Sequence, residues 1–237
     1  MKKVAFAVLG LSTLVTGAQA GVAYSSLLTS GISSYYAATG ATAGTGATSL
    51  TRLLLDDVQM HPADAGKVIQ SVTFGLVQND PAAFKFRARI RFYNDNAGIP
   101  GTYIGGVSFN FGNVAQGIYN QPLALTSFGI LTPASGKMWI GMVFDGDSSA
   151  AGTVPTAAQL NQLGIYSSTT VTKGFSNADI RRTNNPGSFV SVVPGPNSII
   201  NASDNSKLGY EVSVVPEPAT MAALGLGIAA LARRKRK

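Results

Sequence analysis

Residues 84–92 alternate strictly between apolar and cationic side chains, and no other stretch restricts the fold of this chain as much. Successive residues of a β-strand point to opposite faces of its sheet, so a period of two gives the strand one apolar and one charged face. The apolar face, which a second layer must cover, carries Phe84, Phe86, Ala88, Ile90 and Phe92. The charged face carries Lys85, Arg87, Arg89 and Arg91.

Short apolar runs separated by Gly, Pro, Asn and Asp continue through residues 50–215, which is typical of strands joined by turns. Residues 137–144 are largely apolar on both faces, which favours a central strand. Only residues 156–163, after Pro155, predict a helical turn. Predicted strands cover 53–55, 68–77, 84–93, 103–111, 123–130, 137–144, 164–167, 188–193 and 208–214. Such spacing favours a two-sheet sandwich over a parallel α/β fold.

Residues 94–101, Asn-Asp-Asn-Ala-Gly-Ile-Pro-Gly, lie between two predicted strands. Asn and Asp tolerate left-handed backbone conformations and Pro-Gly favours turns, so this segment predicts a hairpin connection. Together with its flanking strands it resembles the hairpins of jelly-roll sandwich domains in bacterial surface proteins. The fold class we predict for residues 50–215 is therefore all-β, a jelly-roll-like antiparallel β-sandwich.

Two N-terminal segments differ from the predicted sandwich. Lys2 and Lys3 precede an apolar stretch, and Ala18 and Ala20 supply an A-x-A ending, so residues 1–20 predict a secretory signal peptide that is cleaved after Ala20. Residues 21–49 contain an Ala-, Gly- and Thr-rich tract without a usable period, and we expect a flexible leader there.

The last 22 residues have three parts: the rigid element Pro216-Glu217-Pro218, an apolar run at 221–232, and a basic end. As a helix the apolar run would reach about 18 Å, which is short of the roughly 30 Å hydrocarbon core of a bilayer. We therefore expect a short apolar helix that holds the protein transiently at the inner membrane, the alternative being an ordinary tail anchor. The cations that would stay on the cytoplasmic side are Arg233, Arg234, Lys235, Arg236 and Lys237.

This order of motif, apolar run and basic end resembles the PEP-CTERM sorting signal of Gram-negative bacteria, with Pro216, Glu217 and Pro218 at the motif positions. The resemblance implies that exosortase, a membrane-embedded cysteine transpeptidase-like enzyme, recognises the tail and removes it. It also implies release to the cell surface or extracellular matrix, in a setting of exopolysaccharide and biofilm formation. It covers only residues 216–237 and assigns no family to the sandwich.

The formal net charge of +7 belongs mostly to the two ends of the chain. Residues 21–215 hold 11 cations and 10 acids, so the charge gives no support to a nucleic-acid partner. The chain has no cysteine, which excludes disulfides, thiolate catalysis and cysteine metal sites. The fold must therefore be held by burial and by sheet hydrogen bonds.

Residues that could support catalysis are few. The single histidine, His61, lies in a predicted loop, with no G-x-S-x-G motif and no second histidine to complete a metal site. Asp56 and Asp57 are adjacent in a strand and point to opposite faces, so they would not cooperate as a carboxylate pair. We expect a non-catalytic protein without a cofactor. A polysaccharide hydrolase using Asp145 or Asp147 is the remaining enzyme hypothesis.

Binding sites of three kinds stay open. The calcium candidates Asp95, Asp145 and Asp147 lie in oxygen-rich turns, although turn chemistry explains these residues without an ion. The cationic face of residues 85–91 could bind an acidic extracellular polysaccharide, or it could lie against acids of neighbouring strands. Sugars could stack on Trp139 and a tyrosine, or these rings could belong to the core. We expect a structural or adhesive protein, with a carbohydrate-binding module as the alternative.

Overall fold

The computed structural model describes residues 21–28, 30–32, 34–41, 50–146, 148–177, 180–183, 199–201 and 206–215. One short helix, α1 (Ala157–Leu160), lies among them. The remaining elements are the strands β1 (Gly21–Ser25), β2 (Tyr35–Ala37), β3 (Leu53–Gln59), β4 (Ile69–Gln78), β5 (Phe84–Asn96), β6 (Ile99–Val114), β7 (Gly117–Ala124), β8 (Lys137–Asp145), β9 (Leu163–Ser168), β10 (Ile180–Thr183), β11 (Ile199–Asn201), β12 (Lys207–Leu208) and β13 (Tyr210–Val214), with 3-10 turns at Pro62–Asp64 and Thr126–Phe128.

The strands form two antiparallel sheets. In the seven-stranded sheet β1, β13, β4, β9 and β12 follow one another, while β7 pairs with β4 and β2 pairs with β9. In the six-stranded sheet the order is β11, β10, β3, β8, β5 and β6. Apolar residues of both sheets form one common core, which confirms the predicted two-sheet sandwich. The more specific jelly-roll arrangement stays a prediction.

The inner face of β5 shows how the two sheets pack. Its apolar residues at 84, 86, 88, 90 and 92 are all fully buried, as the alternation predicts. The ring of Phe86 lies 4.9 Å from that of Phe111 and 5.8 Å from that of Phe144, centroid to centroid. Phe111 of β6 also meets Phe74 of β4 edge to face at 6.4 Å, across the two sheets. Burial of such rings stabilises the sandwich, which has no disulfides to contribute to its stability.

Strand β8 has the central position that its two apolar faces predict. It pairs with β3 on one side and with β5 on the other. Met138, Ile140 and Met142 lie in the common core, and Trp139 and Val143 on the opposite face are fully buried as well.

The β5–β6 hairpin confirms the turn predicted within residues 94–101. Strand β5 ends at Asn96 and β6 begins at Ile99, so the loop is Ala97 and Gly98. Both loop residues have positive φ angles, 52° and 80°, as expected for a two-residue turn that follows the twist of its strands. Asp95 Oδ2 accepts a hydrogen bond from Gly98 N at 3.3 Å and closes the turn.

The flexible leader predicted over residues 21–49 is wrong for two segments. Strand β1 pairs with β13 and β2 pairs with β9, so both belong to the seven-stranded sheet. The other edge of β1 is covered as well, because Ser25 N donates to Lys173 O at 3.0 Å and His61 N donates to Ala23 O at 3.2 Å. Whether such a short segment forms a strand depends on the distant strand with which it pairs, and local composition does not reveal that partner. The sandwich therefore includes residues well before residue 50.

The predicted strand at 123–130 is also misplaced. Residues 117–124 form β7, and a 3-10 turn follows at Thr126–Phe128. Strands β10 and β11 have no counterpart in the prediction. The helical turn is confirmed: Thr156 Oγ1 accepts from Gln159 N, and the Gln159 side chain accepts from Thr156 N, which forms a capping box.

Several predicted features lie outside the described residues. They are the signal peptide at 1–20 with Ala18 and Ala20, the strand at 188–193, Asp147, and the sorting segment at 216–237. Within the ranges that the structure does describe, no helix is long and apolar enough to cross a membrane.

Candidate functional site

The outer face of β5 carries a row of four cations, formed by Lys85, Arg87, Arg89 and Arg91. Strand β8 flanks this cationic row on one side and β6 on the other. Arg87 stands opposite Asp145 of β8, and Arg89 stands opposite Val143. The register thus brings one carboxylate next to two guanidinium groups.

Asp145 is the centre of this cluster. Its side chain is fully buried, and it accepts hydrogen bonds from Arg87 Nε at 3.1 and 3.2 Å and from Arg89 Nε at 2.5 Å. The side chains of Arg87 and Arg89 are 20% and 12% exposed. A buried carboxylate requires such partners, because an uncompensated charge away from water costs several kcal/mol. Asp145 therefore fastens β8 to β5 on the outer face.

The four cations of the row differ in their environment. Arg91 is buried, with 3% of its surface exposed. Lys85 is partly exposed, and its Nζ donates to Ala150 O at 3.2 Å. Arg87 and Arg89 engage Asp145. The four side chains are thus not uniformly exposed to solvent. Polyanion binding by this row stays an untested alternative.

Arg87 and Arg89 share one described carboxylate, that of Asp145. Burial lowers the pKa of the Arg89 guanidinium, and the neighbouring charges of Arg87 and Arg91 act in the same direction, whereas Asp145 opposes them. A guanidinium nevertheless stays protonated in proteins. The group of three arginines and Asp145 therefore keeps an excess of positive charge.

The calcium candidates have other partners. Both oxygens of Asp145 accept from arginine. Asp95 Oδ1 accepts from Trp139 Nε1 at 2.9 Å, and its Oδ2 accepts from Gly98 N. Asp147 lies outside the described residues. Ion pairing and turn chemistry account for Asp95 and Asp145, and calcium binding stays an untested alternative. In the described part of the chain, no three His, Cys, Asp or Glu side chains gather as a metal site.

An aromatic group lies on the same outer face. The guanidinium carbon of Arg181 is 5.0 Å from the centroid of the Trp139 ring, and Arg181 Nη2 donates to Gly98 O at 3.0 Å. Trp139 is fully buried, so its ring belongs to the core and is not an exposed surface on which a sugar could stack. Sequence reasoning missed Arg181, since its position depends on β10 pairing with β3.

A second fully buried carboxylate, Asp56 of β3, faces the space between the sheets. Its Oδ2 accepts a hydrogen bond from Leu208 N of β12 at 2.8 Å. Burial raises the pKa of Asp56 well above its ordinary value, and the charge of Asp57 adds to this, while the bond from Leu208 opposes it. Burial raises the pKa of the Tyr24 and Tyr210 phenols most. The charge of the nearby Asp56 raises both pKa values further.

Asp57 takes the opposite direction from Asp56, as strand alternation predicts. It accepts from Asn177 N at 3.0 Å, from Asn177 Nδ2 at 2.9 Å and from Ser176 Oγ at 3.3 Å. The exposed His61 accepts a hydrogen bond at Nδ1 from Ala63 N at 3.3 Å and caps a 3-10 turn. These contacts are structural.

A cavity of about 170 Å³ lies where β4 and β7 meet, with Val77, Gln78, Gln116 and Ile118 in its lining. Ligand pockets for small molecules usually span about 300–1,000 Å³. The cavity is thus smaller than a usual pocket for a small molecule.

Comparison with known proteins identifies the tail. Residues 214–237 match the PEP-CTERM protein-sorting motif, which confirms the resemblance and supports an exported protein processed by an exosortase-type enzyme. The residues before it match no family. No curated protein matches the chain. Fold and motif together define an all-β sandwich that precedes a PEP-CTERM sorting signal.

Proposed function

We propose that this chain is a non-catalytic structural or adhesive protein of the cell surface or extracellular matrix, delivered there by exosortase-type sorting. Its signal peptide at 1–20 directs export, and its tail holds it transiently at the inner membrane. Its setting is the exopolysaccharide of a biofilm. The sandwich, with jelly-roll-like connections, is the part that remains after the tail is removed.

The junction between sandwich and motif carries this proposal. Strand β13 ends at Val214, and it lies between β1 and β4. One residue later, Val215 N donates to Val68 O at 2.9 Å, and Pro216 of the motif follows directly. Every described strand thus ends before Pro216. Removal of residues 216–237 would therefore leave the sheet hydrogen bonds between the described strands intact.

The contacts of the acidic residues support a structural role for the sandwich. Asp57, Asp95 and Asp145 accept hydrogen bonds that fasten loops or strands, and Asp56 joins β3 to β12 across the two sheets. Hydrolysis by two carboxylates needs a pair flanking a bond at an accessible cleft. A polysaccharide panel should accordingly show no turnover. Turnover that Asp145→Asn abolishes in a folded variant would refute the non-catalytic assignment.

Sorting is tested with the only two glutamates of the chain. The native host would express the wild type, Glu217→Gln and Glu211→Gln, and intact mass and cell fraction would be measured for each. We expect the wild type and the β13 control Glu211→Gln to lose the tail and leave the membrane, whereas Glu217→Gln keeps both tail and membrane association. Retention of Lys237 at the membrane by all three proteins would make the tail an anchor and remove the basis for a matrix role.

A second candidate function is binding of an acidic polysaccharide at the cationic row. The row of four cations along one strand favours it, because guanidinium and ammonium groups pair with the carboxylates and sulfates of such a ligand. The suitable variant is Lys85→Glu. A glutamate in place of Arg87, Arg89 or Arg91 would instead bury a negative charge among groups that now contact an arginine. Binding to an anionic polysaccharide should weaken with salt and in Lys85→Glu. No binding at low salt would rule this function out.

A further inference from the structure

One side of the sandwich is formed by an uncharged part of the chain. Residues 96–136 contain no Lys, Arg, Asp or Glu. They include β6, the last strand of the six-stranded sheet, and β7, which lies beyond β4 in the seven-stranded sheet. Only Ala115 and Gln116 connect the two strands, so both edges lie at the same side. Ile118 of β7 is 48% exposed there.

Strand β6 has a long backbone edge with which no described strand pairs. It runs from Ile99 to Val114, and within the described ranges it pairs with β5 alone. Unpaired N–H and C=O groups of such an edge pair readily with another strand, and proteins usually protect them with charges, proline or a short strand. Strand β6 has no charge, and its one proline, Pro100, lies next to the hairpin turn.

The other edges have the protection that β6 lacks. Strand β7 carries Pro122, which cannot donate a hydrogen bond. Strands β2, β11 and β12 have two or three residues each. The open side of β1 bonds to Lys173 and His61. The middle of β6, which is neither charged nor interrupted by proline, therefore differs from the other described edges.

The regular part of this edge is bounded at both ends. Between Phe86 and Phe92 of β5, the pairing with β6 runs without interruption from Phe111 to Gly105, and register shifts occur on either side. Near one end, the 148–149 segment contacts β6: Ser148 Oγ donates to Phe111 O at 3.3 Å. Residues 105–109 thus form an edge without a bulge, with Val107 at its middle.

We propose that β6 is a self-association edge, which pairs in antiparallel fashion with β6 of a second copy of this chain, centred near Val107 and Ser108. Antiparallel pairing of identical strands has two-fold symmetry, so one segment serves both partners. Because β6 carries no charged side chain, pairing it with β6 of a second copy brings no like charges of the two strands together. The cations of the two β5 strands would lie about 14 Å apart, roughly three strand spacings, which exceeds the screening length of about 10 Å at 0.1 M salt.

The absence of cysteine makes the register directly measurable. The single substitutions Thr102→Cys, Ser108→Cys and Asn113→Cys, all at exposed positions of β6, would be made in the full chain, which is then oxidised in mild non-ionic detergent. Pairing centred near residue 108 brings the two backbones at that position within disulfide reach, whereas the pairs at 102 and 113 would be roughly 35–40 Å apart. We expect dimer formation through Ser108→Cys that is at least about tenfold greater than through the other two.

Perturbation of the edge gives the second measurement. Ser108→Glu sits beside Arg89 within its own sheet but places two like charges near the two-fold axis, while Ser127→Glu adds the same charge at an exposed turn. Sedimentation should show a weak dimer for wild type and Ser127→Glu, and about tenfold weaker association for Ser108→Glu.

Two results would overturn the proposal. One is a monomeric wild type at every concentration up to about 1 mM. The other is equal crosslinking at all three cysteine positions, since association through the apolar tail would not select residue 108. Neither result bears on sorting, because removal of the tail is measured separately.

Discussion

Asp56 and Asp145 are both fully buried, yet the two regions around them compensate the carboxyl group in different ways. Asp145 on the outer face receives hydrogen bonds from two arginines. Asp56 between the sheets receives one from a backbone N–H, and burial there raises its pKa well above the ordinary value. The first site offers two guanidinium donors to its carboxylate, whereas burial at the second site favours the protonated acid. The face of the sheet to which a carboxyl group points decides which compensation it receives, because the cations of β5 lie only on the outer face.

The largest effect is expected for Asp145→Ala. The substitution leaves Arg87 and Arg89 close together without their shared acceptor, and loss of one member of a buried ion pair costs about 3–5 kcal/mol. We expect the free energy of unfolding, measured by urea titration, to fall by that amount. Asp145→Asn, which keeps an acceptor oxygen, should lose less.

The control for this prediction replaces the whole group. Arg87→Met, Arg89→Met and Asp145→Leu together exchange the ion cluster for apolar side chains of similar size, and such exchanges are often neutral or stabilising. The triple variant should therefore be more stable than Asp145→Ala. If Asp145→Ala unfolds at the same urea concentration as the wild type, the outer carboxylate is not held as the contacts indicate.

The sequence predicts these two regions unequally. Alternation in residues 84–92 identifies both faces of β5, and the apolar character of residues 137–144 predicts a central β8 beside it. Parity also predicts that Asp56 and Asp57 diverge. No local pattern tells which of the two meets the second sheet, because that depends on β12, more than a hundred residues away.

The parts that sequence reasoning missed share this dependence on distant partners. Strand β1 pairs with β13, whose residues lie close to the other end of the chain. Arg181 reaches Trp139 only because β10 pairs with β3. Both strands have five residues or fewer, and in such segments tertiary pairing decides the strand state. The tail was predictable since its recognition needs only the order of residues.

A smaller effect is expected at Asp56, and it depends on pH. The folded state holds the Asp56 proton at pH values where the unfolded chain has lost it, because its folded pKa is raised. The unfolded state then binds fewer protons, so stability should fall as pH rises above about 4, with a slope of at most about 1.4 kcal/mol per pH unit, until the raised pKa is reached.

Asp56→Asn tests this slope directly. The amide oxygen can still accept from Leu208 N, but the group no longer titrates. We expect the variant to match or exceed the wild-type stability at neutral pH and to lose this contribution to the pH dependence. An unchanged slope in urea titrations between pH 4 and 8 would mean that Asp56 is ionised in the folded protein.

The smallest effect concerns Tyr210, whose pKa is raised by burial, by Asp56 and by Tyr24. Above the ordinary tyrosine pKa of about 10, the unfolded chain ionises this phenol while the folded protein does not, so stability should decline with rising pH. Tyr210→Phe removes one such group and should make the decline between pH 9 and 11 shallower, with a change of about 1 kcal/mol or less at neutral pH. Absorbance at 295 nm checks the same point, since the folded wild type and Tyr210→Phe should ionise equal numbers of tyrosines at pH 11. One fewer ionised tyrosine in the variant would show that the Tyr210 hydroxyl reaches solvent, and the region around Asp56 would then be wetter than its burial indicates.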